Sequence, residues 1–135
     1  MNFEIAAIDH LVLRTANMEA MLRFYCEVLG CPLERDARDE FGLAQLRAGS
    51  GLIDLVDVDS KLGRPGGGPP ATTENNLDHF CLQVDTLCEQ DILKHLDAHG
   101  IEHDGFDRRY GAQGYGNSVY IRDPDGNTVE LRERL

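Results

Sequence analysis

Two short runs in which apolar and polar residues alternate, each carrying the pair Asp-His, organise the chain. Ile8-Asp9-His10-Leu11-Val12-Leu13 recurs 69 residues later as Leu77-Asp78-His79-Phe80-Cys81-Leu82. Each run reads as a strand and is followed by a segment with helical spacing. In the first segment Met18, Met21, Leu22, Tyr25, Val28 and Leu29 share a face, Asn17 is placed to cap the start, and Gly30 stops the helix. In the second, Leu87, Ile92, Leu93 and Leu96 form the apolar face, with Asp85 or Thr86 as the N-cap and Gly100 as the stop. Three short strand-like runs then follow in each half. These are Cys31–Arg35, Gly42–Arg47 and Leu52–Val58, and later Ile101–Asp104, Ser118–Arg122 and Thr128–Leu131. Asp123-Pro124-Asp125-Gly126-Asn127 supplies a tight turn between the last two.

Both halves therefore read β-α-β-β-β, which predicts an α+β domain of two modules, each a small mixed sheet curled against one helix. The expected boundaries are module 1 over residues 5–62, a linker over 63–76 and module 2 over 77–135. Within the linker, Gly63-Arg64-Pro65-Gly66-Gly67-Gly68-Pro69-Pro70 fits neither helix nor strand. Modules of this size are small to stand alone, so they are expected to pack into a single domain.

Alternation also assigns the chemistry. Leu11 and Leu13 share the face that the helix covers, which sends His10, Val12 and Arg14 to the other. In the second copy Phe80, Leu82 and Val84 face the helix, and His79, Cys81 and Gln83 face away. The last strand of each module places an acid between two aliphatics, Ile53-Asp54-Leu55 and Val129-Glu130-Leu131. An acid so flanked has its neighbours in the core and itself on the opposite face. If the two curved sheets close on each other, His10, Asp54, His79 and Glu130 converge. Imidazole nitrogen and carboxylate oxygen suit zinc, nickel, iron or manganese. A single strand histidine is more often structural or solvated; the repetition of the pair points to a metal.

Composition narrows the partners. With 13 basic against 24 acidic residues the net charge is −11, which argues against nucleic acid and against an anionic membrane surface. No run approaches ~18 consecutive apolar residues, and the acidic N-terminal stretch does not resemble a signal peptide. The four cysteines (Cys26, Cys31, Cys81, Cys88) fit no zinc spacing, so buried or partly buried reduced thiols and a cytoplasmic location are expected.

Three stretches resemble the glyoxalase, bleomycin-resistance and extradiol-dioxygenase superfamily, known as the vicinal oxygen chelate superfamily. They are Ile8-Asp9-His10-Leu11-Val12-Leu13, Phe24-Tyr25-Cys26-Glu27-Val28-Leu29-Gly30, and Tyr120-Ile121-Arg122-Asp123-Pro124-Asp125-Gly126-Asn127-Thr128-Val129-Glu130, the last being the most specific. The resemblance implies paired βαβββ modules forming a metal-holding cup, with His10, His79 and Glu130 at the ligand positions. Asp54 matches a position that glyoxalase-I-like members fill with glutamate and epimerases with glutamine. It also implies a small-molecule substrate and a homodimer, with ligands drawn from one chain or from two.

The resemblance leaves three activities open. In a glyoxalase-like lyase, isomerase or epimerase the metal chelates neighbouring substrate oxygens as a Lewis acid, and Glu130 or Asp54 takes a proton α to a carbonyl. In an extradiol-type dioxygenase, Fe(II) sits on two histidines and one carboxylate, and Tyr120 satisfies that group's Tyr-x-x-Asp-Pro-x-Gly-x-x-x-Glu spacing. The histidine that the group carries shortly upstream is missing from residues 108–114. The third activity is non-catalytic binding, as in bleomycin resistance. A fosfomycin-modifying enzyme would need a dense cationic set, to which Arg14, Arg47 and Arg122 could contribute by alternation. His95 and His99, four apart on a helix, read as surface histidines. Residues 108–117, polar and glycine-rich, read as a substrate lid or a loose connection to the penultimate strand.

Overall fold

The computed structural model describes residues 2–85 and 88–135. The chain divides into two compact units, Met1–Pro70 and Ala71–Leu135. Unit 1 contains β1 (His10–Thr15), α1 (Met18–Leu22), β2 (Leu33–Ala37), α2 (Arg38–Phe41), β3 (Leu43–Ala48) and β4 (Gly51–Asp57). Unit 2 contains β5 (His79–Val84), α3 (Glu89–Ala98), β6 (Asp107–Gly111), β7 (Gly114–Arg122) and β8 (Thr128–Glu133). The sheets have the same plan, β1-β4-β3-β2 and β5-β8-β7-β6, with the first strand parallel to the last and the other pairings antiparallel. This is the α+β, βαβββ arrangement expected from the repeat. Among the described residues no helix is long and apolar enough to cross a membrane.

In unit 1 the helix-covered face buries Leu13, Ala44, Leu46, Ile53 and Leu55, and the helical segment buries Met21, Phe24 and Tyr25. Fully burying such side chains contributes about 1.5–3 kcal/mol each. The first helix does not stay α-helical. It continues as a π-helix over Arg23–Val28, with the Leu29 amide donating to the Phe24 carbonyl at 3.0 Å. Gly30 ends it, as its position predicts. In unit 2 the matching face buries Val119, Ile121, Val129 and Leu131, together with Leu96 of α3. Gly100, at φ +69°, closes α3 in a Schellman motif, with Ile101 N donating to Leu96 O at 2.9 Å and Gly100 N to Asp97 O at 3.0 Å.

Several sequence expectations need correction. Ile101–Asp104 is not a strand. The strand that pairs with β7 is β6, six residues further on, so Arg108-Arg109-Tyr110 and Gly114-Tyr115-Gly116-Asn117 form a β-hairpin and not a loose loop. The N-cap of α3 is Cys88, and Asp85 is instead paired with Arg134 at 2.8 Å. Thr86 and Leu87, expected at the start of this helix, lie outside the described residues. Cys81 and Cys88 are exposed, and only Cys31 is buried. The Gly/Pro stretch is also more ordered than its composition suggests. Arg64–Gly66 form one 3-10 turn, and the Arg14 guanidinium donates to the carbonyls of Gly63, Gly67 and Gly68. Arg14 is therefore engaged in tethering that segment to β1.

Candidate metal centre

The parallel pairing of first and last strands sets each histidine two residues along the sheet from its acid. In unit 1 His10 pairs with Leu52 and Val12 with Asp54; in unit 2 His79 pairs with Thr128 and Cys81 with Glu130. Paired residues share a face, so each unit carries histidine and acid together on the face away from its buried core. Both acids are themselves buried, Asp54 at 3% and Glu130 at 6% exposure.

The two faces are filled differently. Gln45 lies across from Asp54 and donates Nε2 to Oδ2 at 3.1 Å, while Oδ1 is buried without a hydrogen-bond partner among the described residues. In unit 2 the Glu130 carboxylate lies between groups of several kinds. His79 Nε2 is 3.3 Å from Oε1, and Arg132 Nη1 is 3.8 Å from Oε2. Tyr120 lies directly across the strand, with its ring edge-on to His79 at a centroid distance of 5.4 Å. Arg109 stacks over the Tyr120 ring at 4.3 Å and donates Nη1 to the carbonyl and hydroxyl of Ser118.

These surroundings shift several protonation equilibria. The Cys81 thiol is pushed up to about 12, first by desolvation and then by the Glu130 charge and hydrogen bond. The Tyr120 phenol rises for the same reasons in the same order. His10 is raised, chiefly by its hydrogen bond to Asp9, with a further contribution from the charge of Asp54. Carboxylates that accept donors from both sides keep these neighbours protonated.

The donor chemistry of each histidine and acid pair suits a divalent metal. Nδ1 of each histidine is already occupied, by Asp9 at 2.6 Å and by Asp78 at 2.7 Å, so Nε2 is the nitrogen left for another partner. The orphan Oδ1 of Asp54 and the close approach of His79 Nε2 to Glu130 are arrangements that a cation would relieve. Among the described residues, no three His, Cys, Asp or Glu side chains stand in metal-holding geometry by themselves.

A cavity of about 540 Å³ adjoins the unit 2 face, lined by Glu102, His103, Asp104, Tyr120, Arg122 and Thr128 among others. Tyr120 belongs both to this cavity and to the surroundings of Glu130. Sequence reasoning missed His103, whose Nε2 is 2.8 Å from Asp97 Oδ1 and whose Nδ1 accepts from the Gly105 amide. It also missed Gln45, Arg109 and Arg132. Of the arginines it raised, Arg47 is held bidentately by Glu34, whereas Arg122 lines the cavity. His95 of α3 and His99, which caps its C-terminus, sit with rings 4.6 Å apart.

The family model described as "Glyoxalase/Bleomycin resistance protein/Dioxygenase superfamily" matches residues 7–131. The chain belongs to this superfamily. It is 32% identical over 133 residues to virulence protein STM3117 of Salmonella typhimurium, covering 96% of this chain and 85% of that protein. It is 30% identical over 134 residues to a biphenyl-2,3-diol 1,2-dioxygenase of Rhodococcus globerulus, of which it spans 62%. Among solved structures, a lactoylglutathione lyase of Agrobacterium tumefaciens superposes with a TM-score of 0.70 at 26% identity, covering 96% of this chain and 95% of that one. Superfamily membership accounts for the βαβββ arrangement, and the matched relatives are named for different reactions.

Proposed function

We propose that this protein is a divalent-metal-dependent enzyme of the glyoxalase-like kind, a lyase, isomerase or epimerase that removes a proton α to a carbonyl of a small oxygenated substrate. The observation that carries this reading is the approach of His79 Nε2 to Glu130 Oε1 at 3.3 Å, on a register that unit 1 repeats with His10 and Asp54. The proposed donors are His10, His79 and Glu130, with Asp54 as the fourth. Such a nitrogen and oxygen set suits zinc, nickel, iron or manganese. When bound, the metal supplies Lewis acidity toward neighbouring substrate oxygens.

The chain's own residues do the rest. A carboxylate, Asp54 or Glu130, accepts the α-proton. Gln45 orients Asp54, and Arg132 balances the charge of Glu130. Tyr120 keeps its phenolic proton and so offers a donor that orients a substrate oxygen. The cavity bounded by Tyr120, Arg122 and Thr128 takes the remainder of a polar small molecule. A homodimer is the expected assembly.

The test begins with metal content per chain in untagged protein purified without chelators. About one metal per chain, lost in His10→Ala, His79→Ala and Glu130→Ala, is the expected result, followed by solvent deuterium exchange at an α-carbon without oxygen uptake. Unchanged metal content in folded His79→Ala and Glu130→Ala would overturn the assignment.

A second reading, an Fe(II)-dependent ring-cleaving dioxygenase, is favoured by one observation: Tyr120 stands edge-on to His79 and directly across from Glu130. It predicts oxygen uptake with catechols after loading with ferrous iron. A non-catalytic binding protein, by contrast, would take up none of these metals.

A further inference from the structure

Asp9 and Asp78 each stand one residue ahead of a strand, since β1 begins at His10 and β5 at His79. Outside the regular pleat their side chains are not committed to the opposite face. Both turn onto the imidazole that follows. Asp9 Oδ1 lies 2.6 Å from His10 Nδ1, and Asp78 Oδ2 lies 2.7 Å from His79 Nδ1. The aspartates are otherwise open to solvent, with side chains 90% and 95% exposed, so neither contact is a by-product of core packing. The backbone of Asp9 is separately fixed, because its carbonyl accepts from Leu52 N at 3.1 Å and Gly51 leaves it room. The same contact made twice, in two units whose faces otherwise differ, is a feature of the duplicated framework.

The chemistry of the two groups decides what the contact does. An ionised carboxylate only accepts hydrogen bonds, so Nδ1 must carry the hydrogen. In a neutral imidazole this leaves Nε2 with a bare lone pair. In unit 2 that lone pair and Glu130 Oε1 are then two acceptors 3.3 Å apart, which only a proton or a cation between them reconciles.

We propose that Asp9 and Asp78 are positioning residues that hold His10 and His79 in the Nδ1–H form and so present Nε2 to a divalent cation. The inference rests on the two histidines being ligands, as proposed above. The aspartates touch neither substrate nor metal and act through the imidazoles.

The test is 15N NMR of the histidine rings in the metal-free protein, at an alkaline pH where the ring signals no longer change with pH. His10→Ala and His79→Ala assign the signals. The expected wild-type pattern is a protonated Nδ1 and a bare Nε2 in both rings. Asp9→Ala and Asp78→Ala each move their own ring toward the Nε2–H form and weaken zinc binding by about 10–100-fold, a range typical of lost partners behind ligands. Asp78→Asn, which keeps an oxygen acceptor, restores most of both. Wild-type rings in the Nε2–H form would overturn the proposal. So would Asp→Ala variants with unchanged ring signals and zinc affinity where His79→Ala has lost zinc. If His79→Ala keeps its zinc, the ligand assignment fails instead, and the ring signals still report on the aspartates independently.

Discussion

Gln45 and Tyr120 hold the same place in the two units, each directly across from the acid on the neighbouring strand, Asp54 in one case and Glu130 in the other. Gln45 is the donor to a carboxylate that is 3% exposed and has one oxygen already without a partner among the described residues. Gln45→Leu should therefore destabilise the protein by about 1–3 kcal/mol, the cost of leaving a buried acceptor unsatisfied. Urea denaturation measures this. In a double-mutant cycle the loss should largely disappear on an Asp54→Leu background, where no carboxylate remains to satisfy.

Arg132 is 2% exposed, donates Nη2 to the carbonyls of Arg109 and Gly114, and supplies positive charge 3.8 Å from Glu130. Arg132→Met removes that charge and leaves Glu130 buried beside a neutral side chain. A loss of roughly 3 kcal/mol or more is expected, as for other buried pairs broken on one side. Adding Glu130→Gln should recover a substantial part of it, again by urea denaturation.

The same arginine explains where sequence reading fell short. Period-2 alternation located the faces of β1, β4, β5 and β8, and with them His10, Asp54, His79 and Glu130, because each of these strands has a continuous apolar side. β6 has none. A Cβ at Gly111 would sit 2.7 Å from the Arg132 guanidinium, and one at Gly116 only 3.2 Å from it. The face shared with Glu130 is emptied at Gly111 and Gly116 to seat Arg132, and the opposite side of β6 carries Arg108 and Tyr110, so the strand resembled a loop and Ile101–Asp104 resembled a strand. Tyr120 was singled out by its family-like spacing, but its place across from Glu130, like that of Gln45 across from Asp54, required a hairpin register, which local patterning does not contain. Asp9 and Asp78 were visible within the repeated motif, but the direction in which their side chains turn was not.

Cys81 is accessible yet should be unreactive. With its thiol held near 12 by desolvation and by Glu130, almost no thiolate exists at pH 8. Alkylation by iodoacetamide at about pH 8 should label Cys88 well before Cys81, as read by peptide mass spectrometry. Glu130→Gln removes the second cause and should raise the Cys81 rate severalfold. Equal labelling of the two cysteines in the wild type would contradict this.

Asp36 gives a pH signature of its own. Hydrogen bonds from Arg38, two side-chain and one backbone, hold its carboxyl down at about 2, against an ordinary 3.8. A carboxylate lowered in the folded state contributes stability that is whole above the ordinary value and is lost as pH falls toward the folded one. Thermal denaturation of Asp36→Asn should therefore match wild type more closely at about pH 2 than at pH 5. Because the pair is exposed, the difference at pH 5 should be small and should shrink further in high salt.

The matched register has an implication for engineering. Four places correspond across the units: Val12 with Cys81, Asp54 with Glu130, Gln45 with Tyr120, and Val56 with Arg132. At each the second unit carries the bulkier or more polar group, yet both sheets have the same strand order. Each unit is thus a natural control for the other, showing which side chains its scaffold accepts at a given address. Exchanging residues between corresponding addresses, one at a time, would vary the chemistry of one half using parts that the other half already tolerates.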